Sequence, residues 1–320
     1  LKWPFKHQLL CWHWRLRMRR SGLVIASAIV LCVLQSPARC ALTVPGVPRR
    51  TLMMQAAASG TADTATPSAV VAVLGAGGRT GSLIPRELLR LDAEPVALTR
   101  SGKWNPPEGE SVEGVRMGIA DVTSVASLTA ALAGCTAVIW AAAFTRGTST
   151  PKDIDNAGLV NTARVVRELG IPRLIVVSSA ATTKPYSPVG LLLNTVANGV
   201  LIEKLKGESE MKGILSGTSS SYTIIRPGGL RLGDKQGFAT LEFNQGDTHA
   251  GAVQRADVAA VAAVCAVDPD NRGAMKTFEM YETESRSGLL PWEGEPKLAV
   301  AGDADCGKML GQLQTDGSYP

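Results

Sequence analysis

The sequence predicts a doubly wound α/β fold, a parallel sheet with helices on both faces, formed as a single domain over residues 68–285. Three observations carry that prediction. Short apolar runs rich in Val and Ile alternate with amphipathic stretches along the whole interval, as buried parallel strands joined by crossover helices do. The first run ends in a cluster of glycines, where a chain can reverse sharply from strand into helix. No internal repeat or coiled-coil period competes with this pattern.

The first strand is Ala69-Val70-Val71-Ala72-Val73-Leu74, six apolar residues with the composition of a strand buried on both faces. Gly75-Ala76-Gly77-Gly78-Arg79-Thr80-Gly81 follows, and residues 82–90 place Leu83, Ile84, Leu88 and Leu89 on one helical face. Gly75, Gly78 and Gly81 fit Gly-x-x-Gly-x-x-Gly, whereas Gly-x-Gly-x-x-Gly would need glycine where Thr80 stands. Between a strand and a helix, such a loop is the dinucleotide fingerprint of the Rossmann fold. Glycine lets the backbone approach a pyrophosphate, and the first helical N–H groups face the phosphates. Gly77, Arg79 and Thr80 complete this expected phosphate loop.

The second strand, residues 95–99, ends at Arg100, 19 residues beyond Gly81. An NAD-specific site places an acid there for the ribose 2′-hydroxyl. Thr99-Arg100-Ser101 instead offers a guanidinium and hydroxyls, which suit a 2′-phosphate, with Arg79 as a second cation. The expected cofactor is therefore NADP(H); the bland alternative for Arg100 is a solvated loop residue. Asp121-Val122 closes a third strand, residues 127–133 form an Ala-rich helix, and 135–143 a fourth strand. That strand ends in Ala141-Ala142-Ala143, small enough for a cofactor to lie against the backbone. Residues 158–169 form the next helix and 174–177 the fifth strand, which delivers Ser178-Ser179 to its carboxyl end, the ligand-binding end of such sheets. These serines suit either of two roles, polarising a substrate carbonyl or capping the following segment. A largely helical stretch over 191–215, a sixth strand at 221–225, a helix at 256–266 and a last strand at 276–281 complete the domain. Residues 286–320 read as an irregular tail with one short helix near 307–313.

Together these residues resemble the atypical short-chain dehydrogenases/reductases, in particular the NAD(P)-binding, NmrA-like group of plastids and bacteria. The resemblance covers roughly Val70 to Glu282. It rests on the 75–81 loop, Asp121-Val122, Asp155-Asn156-Ala157-Gly158-Leu159-Val160-Asn161 and Leu174-Ile175-Val176-Val177-Ser178-Ser179. Tyr222-Thr223-Ile224-Ile225-Arg226-Pro227-Gly228-Gly229 and Arg255-Ala256-Asp257-Val258-Ala259 add to it. It implies phosphates at 75–81, a 2′-phosphate near Arg100, adenine near Asp121 and Val122, and the nicotinamide ribose near Lys204. The sequence departs from the family at Val200, where the Tyr of the usual Tyr-x-x-x-Lys pair would precede Lys204; Tyr186 has Gly190 four residues on and cannot substitute. The implied activity is an NADPH-dependent plastid oxidoreductase acting on a small acceptor, with Lys204, Ser178 and Ser179 as catalytic candidates. The alternative is a non-catalytic NADP(H) sensor or scaffold.

Charge separates the chain into two parts. Residues 1–62 hold nine Lys and Arg and no acid, while the remainder holds 24 basic and 28 acidic side chains. The basic balance thus belongs to the leader, and the domain offers no electrostatic footprint for nucleic acid. Arg15, Arg17, Arg19 and Arg20 precede a twelve-residue apolar run, Leu23 to Leu34. That is too short for the ~20 residues a bilayer span needs, but suits a secretory signal. Ala38-Arg39-Cys40 offers a cleavage site, and the acid-free, Ser/Thr-containing stretch after it has transit-peptide composition. The two together resemble the two-part presequences of algae with secondary plastids, so plastid delivery is expected, with the secretory pathway as the alternative. His249 is the sole histidine after the leader, and Cys135, Cys265 and Cys306 are scattered. Neither a His-based triad, a metal site nor a disulfide framework can be assembled from them.

Overall fold

The computed structural model describes residues 68–317 except 187–190, 192–193, 196–197, 250 and 286–297. Its centre is a nine-stranded sheet in the order β11-β8-β10-β6-β5-β4-β1-β2-β3. The strands are β1 (Val70–Leu74), β2 (Glu94–Thr99), β3 (Arg116–Ile119), β4 (Ala137–Trp140), β5 (Arg173–Val177), β6 (Ser221–Pro227), β7 (Gly229–Arg231), β8 (Leu241–Gln245), β9 (Ala252–Gln254), β10 (Lys276–Glu282) and β11 (Leu298–Val300). β3 through β10 run parallel along the sheet, and β8 pairs antiparallel with both β10 and β11. β7 and β9 form a separate parallel pair.

The helices are α1 (Ile84–Leu89), α2 (Val125–Leu132), α3 (Leu159–Glu168), α4 (Val200–Leu215), α5 (Arg255–Val267) and α6 (Cys306–Gln312). Alternation along the strands decides which layer each joins, because successive side chains point to opposite faces. Val71 and Val73 pack with α1, α5 and α6, while Ala72 and Leu74 pack with α2, α3 and α4. The result is the doubly wound three-layer sandwich expected from the sequence. The order in which strands are added reverses between β1 and β4, which run parallel, and this is the switch point where such sheets take their ligands.

Several elements differ from expectation. β3 stops at Ile119, so Asp121 and Val122 lie in the turn beyond it, where Asp121 N–H donates to Ser127 Oγ at 3.0 Å. α1 begins only at Ile84, after turns closed by Ser82 N–H to Gly78 O (2.8 Å) and Leu83 N–H to Thr80 O (3.1 Å). A seven-residue π-helix, Lys152–Gly158, precedes α3. The expected helix from 191 is described as α4 from Val200 onward; part of its first half lies outside the described residues, as does the whole leader. The tail is not irregular throughout: β11 extends the sheet, and α6 occupies the place of the expected short helix. β8 was not expected because Leu241-Glu242-Phe243-Asn244-Gln245 holds only two apolar residues, yet it is buried on both faces. Two of its polar side chains are matched inside, with Tyr281 OH donating to Glu242 (2.8 Å) and Gln245 Nε2 to Thr277 O (2.8 Å), while Asn244 Oδ1 is buried without a partner. Among the described residues no helix is long and apolar enough to cross a membrane.

Candidate functional site

The glycine loop lies in the crevice between β1 and β4. Gly75 has φ +83°, and a Cβ on it would stand 2.6 Å from Ala142 N and 2.7 Å from the Ala141 carbonyl. A Cβ on Gly81 would run into the Gly75 carbonyl oxygen. Backbone therefore stacks directly on backbone, and only glycine fits at either position. Gly78 N–H donates to Gly75 O at 2.9 Å and tightens the turn. Gly77, Gly78 and Arg79 are exposed at the mouth of the crevice, Thr80 is half-buried, and Ala141 forms the opposite lip. Exposed backbone N–H groups of such a glycine turn are the chemistry that receives a phosphate.

Arg100 and Asp121 lie just beyond the ends of β2 and β3, near enough for the guanidinium to act on the carboxyl without pairing with it. Gly77 lies beside the end of β2, since a Cβ there would stand 3.6 Å from Thr99 Cγ2. Asp121 Oδ1 accepts from the Thr123 hydroxyl (2.7 Å) and backbone N–H (2.9 Å). These bonds, with a smaller contribution from the nearby Arg100 guanidinium, hold its carboxyl below the usual range. Arg100 itself is exposed, on a loop held by Thr99 Oγ1 donating to Lys103 O (3.0 Å). Val122 is 9 % exposed, with a methyl packed towards Gly158 and Trp140. Ile119, which the sequence reading passed over, is 64 % exposed beside Gly102 of the Arg100 loop.

The three catalytic candidates do not share one environment. Lys204 Nζ pairs with Asp155 Oδ1 at 2.7 Å, and Asp155 Oδ2 accepts from Phe144 N–H at 3.0 Å. Lys204 is thus tied, through a fully buried carboxylate, to the exit of β4. The approach is close because α4 crosses the π-helix at Gly207, where a Cβ would lie 2.5 Å from Asp155 O. Ser178 sits just beyond β5, its hydroxyl donating to Glu208 Oε1. Ser179 turns its hydroxyl to its neighbour's carbonyl, Ala180 O (3.0 Å), and its own carbonyl accepts from Thr182 Oγ1 (2.5 Å), which matches the local capping role.

Behind Ser178 lies a buried ionic chain. Glu208 Oε2 accepts from Arg226 Nη2 at 2.6 Å, and Arg226 Nη1 reaches Glu279 Oε1 at 3.4 Å. Glu279 Oε2 accepts from Asp247 N–H at 2.8 Å. Burial, reinforced by the Asp247 charge and partly offset by Arg226, pushes the Glu279 carboxyl up to about 7. Asp155, Glu208, Arg226, Asp247 and Glu279 were not picked out as site residues from the sequence. One signal existed for Glu208: it stands four residues after Lys204, on the same helical face. Among the described residues no group of His, Cys, Asp and Glu could hold a metal ion.

A glycine turn at the switch point of a doubly wound sheet defines a dinucleotide-binding protein. The chain matches the NAD(P)H-binding family over residues 75–269. An uncharacterised chloroplastic protein of Arabidopsis thaliana is 30 % identical over 240 residues, covering 71 % of this chain and 81 % of its own length. A second chloroplastic protein of the same plant is 28 % identical over 224 residues, covering 61 % of this chain and 65 % of its own. A solved structure from Bacillus halodurans, described as a NAD-dependent epimerase/dehydratase, is 26 % identical with a TM-score of 0.56, covering 77 % of this chain and 100 % of that one. A short-chain dehydrogenase/reductase from Veillonella parvula in complex with NADP shares the fold, with a TM-score of 0.51 at 21 % identity over 71 % of this chain and 99 % of that one. This chain belongs to the NAD(P)H-binding family and is an atypical short-chain dehydrogenase/reductase in fold.

Proposed function

We propose that the protein is a plastid oxidoreductase that binds NADP(H) and transfers hydride to a quinone-like or strongly conjugated acceptor. The observation that carries the cofactor choice is Arg100, a cation at the end of β2 beside the glycine loop, where an acid would select NAD. In this reading residues 75–81 hold the pyrophosphate, with Gly77, Gly78, Arg79 and Thr80 at its mouth and Ala141 opposite. Arg100 takes the 2′-phosphate, Asp121 and Ile119 flank the adenosine, and Lys204 orients the nicotinamide ribose. Bound there, the cofactor supplies a hydride; the chain supplies position and polar contacts. The chloroplastic names of the two Arabidopsis relatives support the plastid assignment.

The acceptor class follows from Val200 and from the partners already held by Ser178 and Lys204. A simple ketone becomes an alkoxide that needs a proton donor, whose absence costs about 10²–10⁴-fold in rate. A quinone delocalises the incoming charge and needs less help. The decisive assay measures binding of NADPH and NADH, then NADPH oxidation with quinones and with aliphatic ketones. We expect NADPH to bind about tenfold to a hundredfold tighter than NADH, and Arg100→Ala to remove that preference. Equal affinities in the wild type, or brisk ketone reduction, would refute the respective half of the proposal. The same occupied partners favour a second reading, a non-catalytic NADP(H) sensor or scaffold, and tight NADPH binding with no turnover on either acceptor class would select it.

A further inference from the structure

Ser178 holds its one proton inward, and that limits what it can offer a ligand. Its place follows from the sheet. Along β5 the side chains of Leu174 and Val176 enter the layer formed by α2, α3 and α4, and alternation puts Ser178 on the same face. The register Trp140↔Val176, carried two residues on, sets Ala142 beside Ser178, and Arg226 follows on its other side. Ala142 N is the atom that a Cβ on Gly75 would strike. Ser178 thus lies two strand spacings, ~10 Å, from the glycine turn. Over it runs α4, with Lys204 and, one turn further, Glu208. Ala142 and Ser178 both keep part of their surface exposed.

Glu208 orients the hydroxyl. Ser178 Oγ donates to Glu208 Oε1, while Glu208 Oε2 accepts from Arg226 Nη2 at 2.6 Å. Glu208 is 2 % exposed, so the serine and the guanidinium share it between them. A carboxylate paired with a guanidinium only accepts, and a serine hydroxyl has one proton and two lone pairs. With that proton spent on Glu208, lone pairs are all that Ser178 Oγ has left for a ligand. Its backbone N–H is spent as well, on Ile225 O at 2.8 Å. A carbonyl set against this hydroxyl would face oxygen with oxygen, whereas an O–H or N–H would be matched. Ser178 is thus arranged for the opposite of polarising a carbonyl.

We propose that Glu208 is a positioning residue that makes Ser178 a hydrogen-bond acceptor, and that the molecule bound beside the nicotinamide carries a phenol-like hydroxyl that donates to Ser178 Oγ. This rests on the reading of the crevice as an NADP(H) site. It narrows the conjugated acceptor to one bearing a hydroxyl apart from the carbonyl that receives the hydride's charge.

The test titrates the full chain, saturated with NADP+, with α-naphthol and α-tetralone, using ligand-observed NMR. The two bicyclic probes are of similar size, but the first donates a hydrogen bond and the second only accepts. The wild type should bind the naphthol about tenfold tighter, and Ser178→Ala should remove that preference. Glu208→Gln should reverse it. Its amide oxygen keeps the charged Arg226 donor, its NH2 then faces Ser178 Oγ, and the serine must turn its proton outward. A residue that merely supports the fold would weaken both probes alike. If Glu208→Gln does not melt cooperatively, Ser178→Ala decides alone. Equal binding in the wild type, no saturation by the naphthol up to about 10 mM, or an unchanged preference in either folded variant would overturn the proposal. No turnover is measured, so a chain that oxidises no NADPH fails the oxidoreductase reading without touching this one. Absence of NADP+ binding would overturn both, and a missing naphthol preference in a chain that binds NADP+ overturns this one alone.

Discussion

Gly75 bears two separable constraints, a left-handed backbone and a backbone neighbour where a Cβ would go. Gly109 has nearly the same φ, +82° against +83°, but nothing within 4 Å of its would-be Cβ. Gly109→Ala should therefore cost only the left-handed penalty, about 1–2 kcal/mol. Gly75→Ala must in addition push β1 away from the exit of β4, so its melting temperature should fall well below that of Gly109→Ala, with loss of NADPH binding. Equal melting temperatures would show that close approach is not the constraint. Glu279 gives a second residue-scale prediction. Its carboxyl is raised from 4.5 to about 7, so between those pH values the folded protein holds a proton that the unfolded chain has released. Stability then falls as pH rises from about 4.5 to 7 and levels off above. Melting curves across this range should show the decline in the wild type and a flatter profile in Glu279→Gln; parallel profiles would contradict the assignment. The glycines were legible in the sequence because their spacing is local. Arg226, Glu208, Glu279 and Asp247 were not, because their roles exist only once α4, β6, β10 and the loop after β8 are brought together.

At the scale of elements, α4 matters most to the site, for it carries Lys204, Glu208 and Lys212 on successive turns. Its position is set by Gly207, which lets the helix touch the π-helix at Asp155 and Asn156. Two glycines of this helix make a controlled pair. At Gly213 nothing lies within 4 Å, so Gly213→Ala should gain helix propensity and stabilise by about 0.5–1 kcal/mol. At Gly207 a Cβ would lie 2.5 Å from Asp155 O and 3.0 Å from Asn156 Cα, both backbone atoms. Overpacking there should cost about 1–3 kcal/mol and shift the Lys204–Asp155 pair. Denaturant melts of the two variants should therefore move in opposite directions. If Gly207→Ala is neutral, α4 does not depend on this crossing. The parallel strands were readable because both faces are buried and their apolar runs are continuous. The π-helix was not, since Asp155-Asn156-Ala157-Gly158 carries no local sign of its extra residue per turn, and its partners come from β4 and α4.

On the scale of the whole molecule, the chain outside residues 68–285 divides into two stretches with opposite expectations. The described residues from 298 onward are woven into the fold. β11 covers the outer edge of β8, Lys276 Nζ donates to Leu310 O (2.8 Å), and Gln245 exchanges hydrogen bonds with Gln314 (3.0 and 2.9 Å). Asp316 gathers Lys212, Tyr222 and Thr277 around one carboxylate. Ending the chain at Ser285 would strand these buried donors and bare β8 as a sheet edge, with Phe243 and Leu241 losing the cover of α6. The leader is a different case. Acid-free, basic and bearing a twelve-residue apolar run, it has the composition of a removable address, and we propose that residues 1–62 contribute nothing to the folded domain. A chain beginning at Ala62 should be soluble, melt cooperatively and retain NADPH binding, whereas a chain ending at Ser285 should aggregate or melt far lower. Charge sharpens the contrast, since removing the leader removes nine cations and leaves a domain with an acidic excess. Size-exclusion chromatography with thermal melts of both truncated proteins checks the pair. Aggregation of the chain from Ala62 would make the leader structural, and a full-strength melt of the chain ending at Ser285 would reduce the tail to decoration on a sheet that is complete without it.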